Sequence, residues 1–194
     1  TNASVVVING LAEAGSTVKL YDGTSFLGSA LASATGAWSF STAALADGSH
    51  SLTATATDLA GNVSVASSGL DVTVDAVAPI VPTITSFSPD SAVVGDGSTN
   101  ANHVTLTGAA EANSSVKIYD GNMLVGSAVA NSNGAWSFNS GALADGMHNF
   151  TTTDTDAAGN VSASSSVMHV NVDTAAPVAP VISSFSPDTA TIGD

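Results

Sequence analysis

Apolar residues along this chain alternate with polar ones at a period of two, the pattern of half-buried strands. The run Ser115 to Tyr119, SVKIY, sets Val116 and Ile118 on one face and Ser115, Lys117 and Tyr119 on the other. The turn Asp120-Gly121-Asn122 follows at once, and Met123 to Ala128 leaves it as the second arm of a hairpin. Trp136 and Phe138 alternate with Ser137, and the loop 141–146 leads into a long strand from His148 to Thr155. After Asp156-Ala157-Ala158-Gly159-Asn160 comes a last strand ending at Val170-Asn171-Val172. With Ile84 to Phe87 and Val104 to Thr107 the pattern predicts seven short strands in under 100 residues, and no helical periodicity. That count and spacing predict an all-β fold, an immunoglobulin-like sandwich.

The pattern occurs twice. Shifted by 98 residues, the chain matches itself without a gap: Gly10 falls on Gly108, Glu13 on Glu111, Trp38 on Trp136 and Asp58 on Asp156, and 55 of the 96 overlapping pairs are identical. A period of that length is one whole domain rather than a solenoid unit. Prolines punctuate it at one phase, in Ala78-Pro79-Ile80-Val81-Pro82 and Ala176-Pro177-Val178-Ala179-Pro180, and proline holds such linkers extended and stiff. The expected organisation is therefore a linear tandem array. Residues 1–78 form a repeat lacking its first strand, 79–175 a complete repeat, and 176–194 the first strand and loop of a further one. The ends are out of phase with the domains, as in a window cut from a longer array.

Composition narrows the function. Sixteen acidic residues against two lysines and no arginine give a net charge of -14, which excludes nucleic acid and anionic membrane surfaces as partners. No apolar stretch is long enough for a helix to span a bilayer. Cysteine is absent, which removes disulfides, thiol catalysis and thiolate metal sites. His50 and His148 follow Asp47 and Asp145 by three residues, yet no nucleophile or oxyanion loop recurs beside them, so they read as strand-entry histidines and the protein as a non-enzyme. Trp38, Phe40, Trp136 and Phe138 point one way and read as core rather than as a sugar-stacking platform.

The carboxylates carry the most specific expectation. In a sandwich of this topology Glu111 and Asp156 lie in loops at one end, and the incoming linker brings Asp75 to the same end. Three converging acids invite a hard cation that prefers oxygen ligands, and calcium fits best. Glu13 and Asp58 are their counterparts in the first repeat, while Asp173 is the counterpart of Asp75 at the next linker. Asp154 stands two residues from Asp156 and has Ala56 as its counterpart. At the opposite end Asp90 and Asp96, in the long first loop, form a second and weaker candidate set. The Asp-Gly pairs at 22, 47, 120 and 145 read first as turn chemistry.

Several motifs, GxAExxSxVKxYDG, GAWSF, ALADGxH, DxAGNVS and VDxxAPxxPxI, occur in the same order in both copies. Together they resemble the bacterial Ig-like repeats of giant biofilm-associated and RTX-type surface adhesins. The resemblance covers essentially the whole chain. It implies an extracellular protein of the bacterial cell surface whose repeats act as a calcium-rigidified extender, projecting a binding tip for cell adhesion or biofilm formation. The host or matrix ligand would then be bound elsewhere in the full protein. The competing reading makes each repeat a glycan- or protein-binding module, but repeated exposed aromatics and variable loops are not evident. The partners expected for this segment are neighbouring repeats, together with strand donation between chains, because Ile182 and Phe185 repeat Ile84 and Phe87.

Overall fold

The structure is a computed structural model describing residues 1–91 and 93–184. Of the segment 176–194, residues 185–194 lie outside the described residues. The fold is an all-β sandwich built twice, with no helix among the described residues and hence none long and apolar enough to cross a membrane.

The second repeat shows how the sequence builds each layer. Its larger sheet has the strand order β11-β10-β13-β14-β8, where β8 is Ser98–Thr99, β10 Ser115–Asp120, β11 Met123–Val129, β13 Gly146–Thr155 and β14 Met168–Val172. The smaller sheet has the order β12-β9-β7, with β7 Thr83–Ser88, β9 Thr105–Ala109 and β12 Ala135–Asn139. Val116, Ile118, Leu106, Phe150 and Val170 are fully enclosed between the sheets, while Lys117 on the opposite face of β10 is exposed. The hairpin β10–β11 turns over Gly121, whose φ of +57° suits glycine. Trp136 lies so close over Gly108, and Phe138 over Gly126, that a Cβ at either glycine would overlap the ring. The pairs Gly10/Trp38 and Gly28/Phe40 repeat this packing in the first copy.

The seven expected strands are present, and the eighth, β8, was not legible in the sequence. It has two residues and pairs in parallel with β14, Ser98 opposite Asn171. Also unread was the segment after Asp156. It follows the free half of β13 through serines, with Ser162 Oγ accepting from Asp154 N at 2.9 Å and Ser165 Oγ from Thr152 N at 3.0 Å. Side-chain oxygens here meet edge amides that no regular strand reaches.

The first repeat has a four-stranded sheet, β3-β2-β5-β6, comprising β2 Thr17–Asp22, β3 Ser25–Leu31, β5 Gly48–Thr57 and β6 Leu70–Val74. Opposite it lie only β1 Val7–Leu11 and β4 Ala37–Ser41. No described residue takes the place of β7. Residues 1–3 nevertheless follow the last strand as β8 does in the second repeat: Thr1 donates to Thr73 O, and Asp75 N donates to Thr1 O.

Candidate functional site at the junction between repeats

The loop 156–160 is shaped by its own first residue. Asp156 Oδ1 accepts from Gly159 N at 2.7 Å and Asn160 N at 2.9 Å, Gly159 adopts a φ of +97°, and the loop closes as an Asx-type turn. The Asn160 side chain donates to Asp156 Oδ2 at 2.7 Å and also to the carbonyl oxygen of Asp75 at 2.8 Å. Asn2 Nδ2 reaches the same loop, donating to Gly159 O at 3.1 Å. The motif DxAGN therefore does two things: it folds its loop, and it grips the end of the preceding repeat. In the first repeat Asp58 and Asn62 build the same turn, with the Asn62 amide 2.7 Å from Asp58 Oδ2. The Asn160 amide, with the backbone N–H groups, holds the Asp156 carboxyl below its ordinary range against the opposing effect of burial, and Asn62 does the same for Asp58.

The outgoing linkers are fixed by the Asp-Gly turns. Asp47 Oδ1 accepts from Ala76 N at 2.8 Å, and Asp145 Oδ1 accepts from Thr174 N at 3.1 Å and from its hydroxyl at 2.8 Å. Pro79 and Pro82 are buried, so the connection between the repeats is packed as well as stiff.

The predicted ligands are thus distributed as follows. Asp75 and Asp156 do meet at one end of the second repeat, but through the Asp75 carbonyl; the Asp75 carboxylate accepts from Val77 N at 3.2 Å. Glu111 is exposed at the same end, and its N–H donates to Asp154 Oδ2 at 3.0 Å. Asp154 is fully buried, and its other oxygen, Oδ1, has no partner. Glu13 is exposed in the first repeat, where Ala56 offers no such carboxylate. Asp173 caps Ala175 N at 3.1 Å. Asp90 Oδ2 accepts from Gly95 N, and Asp96 Oδ1 from Ser98 N at 2.8 Å. Both line an open cleft of about 780 Å³ with Met147, Met168 and His169. Among the described residues no three Asp, Glu or His side chains are grouped as a metal cage. The candidate oxygen ligands at the junction are partly engaged by local N–H groups; among the described residues the Glu111 carboxylate, Asp154 Oδ1 and Asp75 Oδ2 accept no hydrogen bond.

A second repeated cluster was missed because its partners are 28 residues apart. His50 Nδ1 donates to Asp22 Oδ2 and His148 Nδ1 to Asp120 Oδ2, each at 2.6 Å, rather than to the neighbouring Asp47 and Asp145. The other ring nitrogens face Ala46 O at 2.8 Å and Ala144 O at 3.0 Å. Only an imidazolium can donate from both nitrogens. The Asp22 hydrogen bond, followed by the Ala46 carbonyl, raises the His50 pKa. Burial pulls His148 down, but the Ala144 carbonyl and Asp120 outweigh it and the net shift is upward. Each pair ties the β2–β3 or β10–β11 turn to the start of the long strand.

Two sandwiches of this topology in series, joined by a packed linker, define a tandem immunoglobulin-like protein. The profile described as "Bacterial Ig-like domain" matches residues 1–76 and 78–174, and the chain belongs to that family. Among solved structures, fibronectin(III)-like modules of Clostridium thermocellum CbhA are 18% identical, with 88% of this chain and 86% of that chain aligned at a TM-score of 0.55. A structure concerned with host cell surface retention of a bacterial ice-binding adhesin is 23% identical over 89% of this chain and 59% of that one, at a TM-score of 0.44. The BSP domain of a biofilm-associated protein is 16% identical over 88% and 28%, at 0.37. The likeness to CbhA is one of fold. No curated protein matches the sequence.

Proposed function

We propose that the chain is an extender segment of a large secreted bacterial adhesin, a rod of Ig-like repeats that carries a binding tip away from the cell surface. The observation that supports this most is the junction between the repeats: Asn160 ties its loop to the Asp75 carbonyl, and the outgoing linkers are held alike by Asp47 and Asp145. A module whose work is to transmit position needs defined joints more than a pocket. Calcium is the cation proposed to stiffen them. Its support is chemical: Asp75, Glu111, Asp154 and Asp156 gather acidic oxygens at one end, and a buried carboxylate oxygen without a partner is costly until a donor or cation meets it. Backbone carbonyls such as that of Asp75 are suitable additional ligands for such an ion.

Small-angle scattering with and without chelator tests the reading. A sandwich of strands eight to ten residues long plus linker advances about 40 to 45 Å per repeat, so an extended pair approaches about 90 Å. At a dissociation constant near 0.1 mM and about 10 mM calcium, linkage adds about 2.7 kcal/mol per site. The expected result is an elongated particle whose melting temperature falls and whose flexibility rises in chelator. A compact particle would overturn the rod; an elongated one indifferent to chelator would overturn calcium alone.

A further inference from the structure

One margin of the second repeat carries side chains that the first repeat lacks. Met147 stands where the first repeat has Ser49, Met168 where it has Leu70, and His169 where it has Asp71. All three line the cleft of about 780 Å³ that also holds Asp90 and Asp96. The register of the strands brings them together. Met147 lies opposite Asn171 and His169 opposite Asn149, so Met147 and His169 are diagonal neighbours on the outer face of β13 and β14. Met168 sits on the inner face of β14, half-buried against the core. β8 pairs only with Asn171 and Val172, so beside Met168 and His169 this side of β14 has no strand partner among the described residues, and the cleft runs along it. A methionine has three rotatable bonds and a polarizable sulfur, which lets it turn its thioether around such a bare edge.

The histidine is oriented as a ligand would be. His169 Nδ1 donates to Asn149 Oδ1 at 2.7 Å, and Nε2 makes no hydrogen bond among the described residues. A proton fixed on Nδ1 leaves the lone pair of the neutral ring on Nε2, which is how a partner amide or carboxylate orients a metal-binding imidazole. The first repeat has a different pair here, with Ser51 Oγ donating to Asp71 Oδ1 at 2.8 Å. The two thioethers, the imidazole and the amide that orients it therefore all distinguish the second repeat from the first. We propose that Met147, Met168 and His169 form a binding site for a soft monovalent cation, Cu(I). Thioether sulfur selects Cu(I), whereas calcium and magnesium require several oxygen ligands. Asp90 and Asp96 add negative charge to the same cleft and favour a cation there without ligating it. This site is independent of the extender reading and of the calcium proposed at the junction.

Methyl NMR of the methionines and competition for the ion test this on the full chain. The chain has three methionines, and Met123, in the β10–β11 hairpin and not part of the cleft lining, is the internal control. One equivalent of Cu(I) kept reduced under argon, or of Ag(I) as a redox-inert probe, should shift the Met147 and Met168 methyl signals and leave Met123 in place. Calcium should move none of them. The chain should also retain Cu(I) against bicinchoninate, a chromogenic chelator of that ion. Met168→Leu with His169→Asp restores the residue types of the first repeat and should weaken Cu(I) binding about a hundredfold, since loss of even an outer partner of a metal ligand costs about 10- to 100-fold. Equal shifts at all three methionines, a response of Met147 and Met168 to calcium, surrender of all the Cu(I) to the chelator, or unchanged affinity in the double variant would overturn the site.

Discussion

The two repeats share most of their sequence and, among the described residues, differ by one strand. With β7 in place, Trp136 is 3% exposed and Leu106 fully enclosed; without a counterpart, Trp38 is only half-buried and the core shrinks to Ile8, Val18, Leu20 and Leu52. The effect reaches beyond the strand's direct neighbours. Ser162 and Ser165 are buried in the second repeat, whereas Ser64 and Ser67, which make the same hydrogen bonds to Ala56 N and Ala54 N, are exposed. One strand thus covers both the aromatic end of the core and the serine-bonded edge of the long strand, while the hydrogen-bond pattern beneath survives its absence. Backbone topology in this sandwich is more robust than enclosure.

If enclosure is what separates the copies, the largest effect belongs to equivalent core truncations. Val116→Ala should cost about 2 kcal/mol in the second repeat and the identical truncation Val18→Ala about 1 kcal/mol in the first, where one side of the core is more open. Denaturant unfolding that assigned both the same loss would remove the distinction. Next comes the stability gap itself. Ile84 and Phe87, both partly buried, contribute about 1.5 kcal/mol each, so in dilute solution residues 17–22 should exchange amide hydrogens about a hundredfold faster than residues 115–120. Equal exchange would mean that the strand is not the source of the difference.

The glycine seats separate the repeats by a smaller margin. Gly108→Ala pushes against both the Trp136 ring and the Thr83 carbonyl, Gly10→Ala against Trp38 alone, so the former should cost about 2 kcal/mol more. Asp154 is the one buried carboxylate of the second repeat and Ala56 its counterpart. Asp154→Ala removes a buried oxygen without a partner but also the acceptor of the Glu111 N–H, so in chelator the two effects should offset to within about 1 kcal/mol. Under the calcium proposal the same substitution becomes clearly destabilising when calcium is added; an effect unchanged by calcium would tell against Asp154 as a ligand.

The smallest difference between the copies concerns pH, where they should behave alike. The raised His50 and His148 pKa values mean that the folded state binds the proton more tightly. Their contribution is complete below about 6.5 and is lost as pH rises through the folded values. The lowered Asp58 and Asp156 values work in the opposite direction. Their contribution is complete above 3.8 and is lost as pH falls through the folded values. Both repeats should be most stable between these limits, and His50→Gln or His148→Gln should flatten the upper limb for its own repeat, read from melting temperature against pH.

The alternation of Val116 and Ile118, the hairpin at Gly121 and the 98-residue repeat were enough to derive the fold, because period-two patterning and turn chemistry act over a few residues. The same local logic located Asp75, Glu111 and Asp156 at one end. It did not foresee that local N–H groups would occupy the Asp75 and Asp156 carboxylates, since the competition between an Asx turn and a metal is decided by backbone placement. The partners across the fold were equally out of reach: His50 with Asp22, Asn160 with the Asp75 carbonyl, and the enclosure of Asp154. These contacts join residues 28 and 85 positions apart. Sequence periodicity fixes which face a side chain takes on its own strand, while the meeting of two strands or two repeats depends on how the layers close.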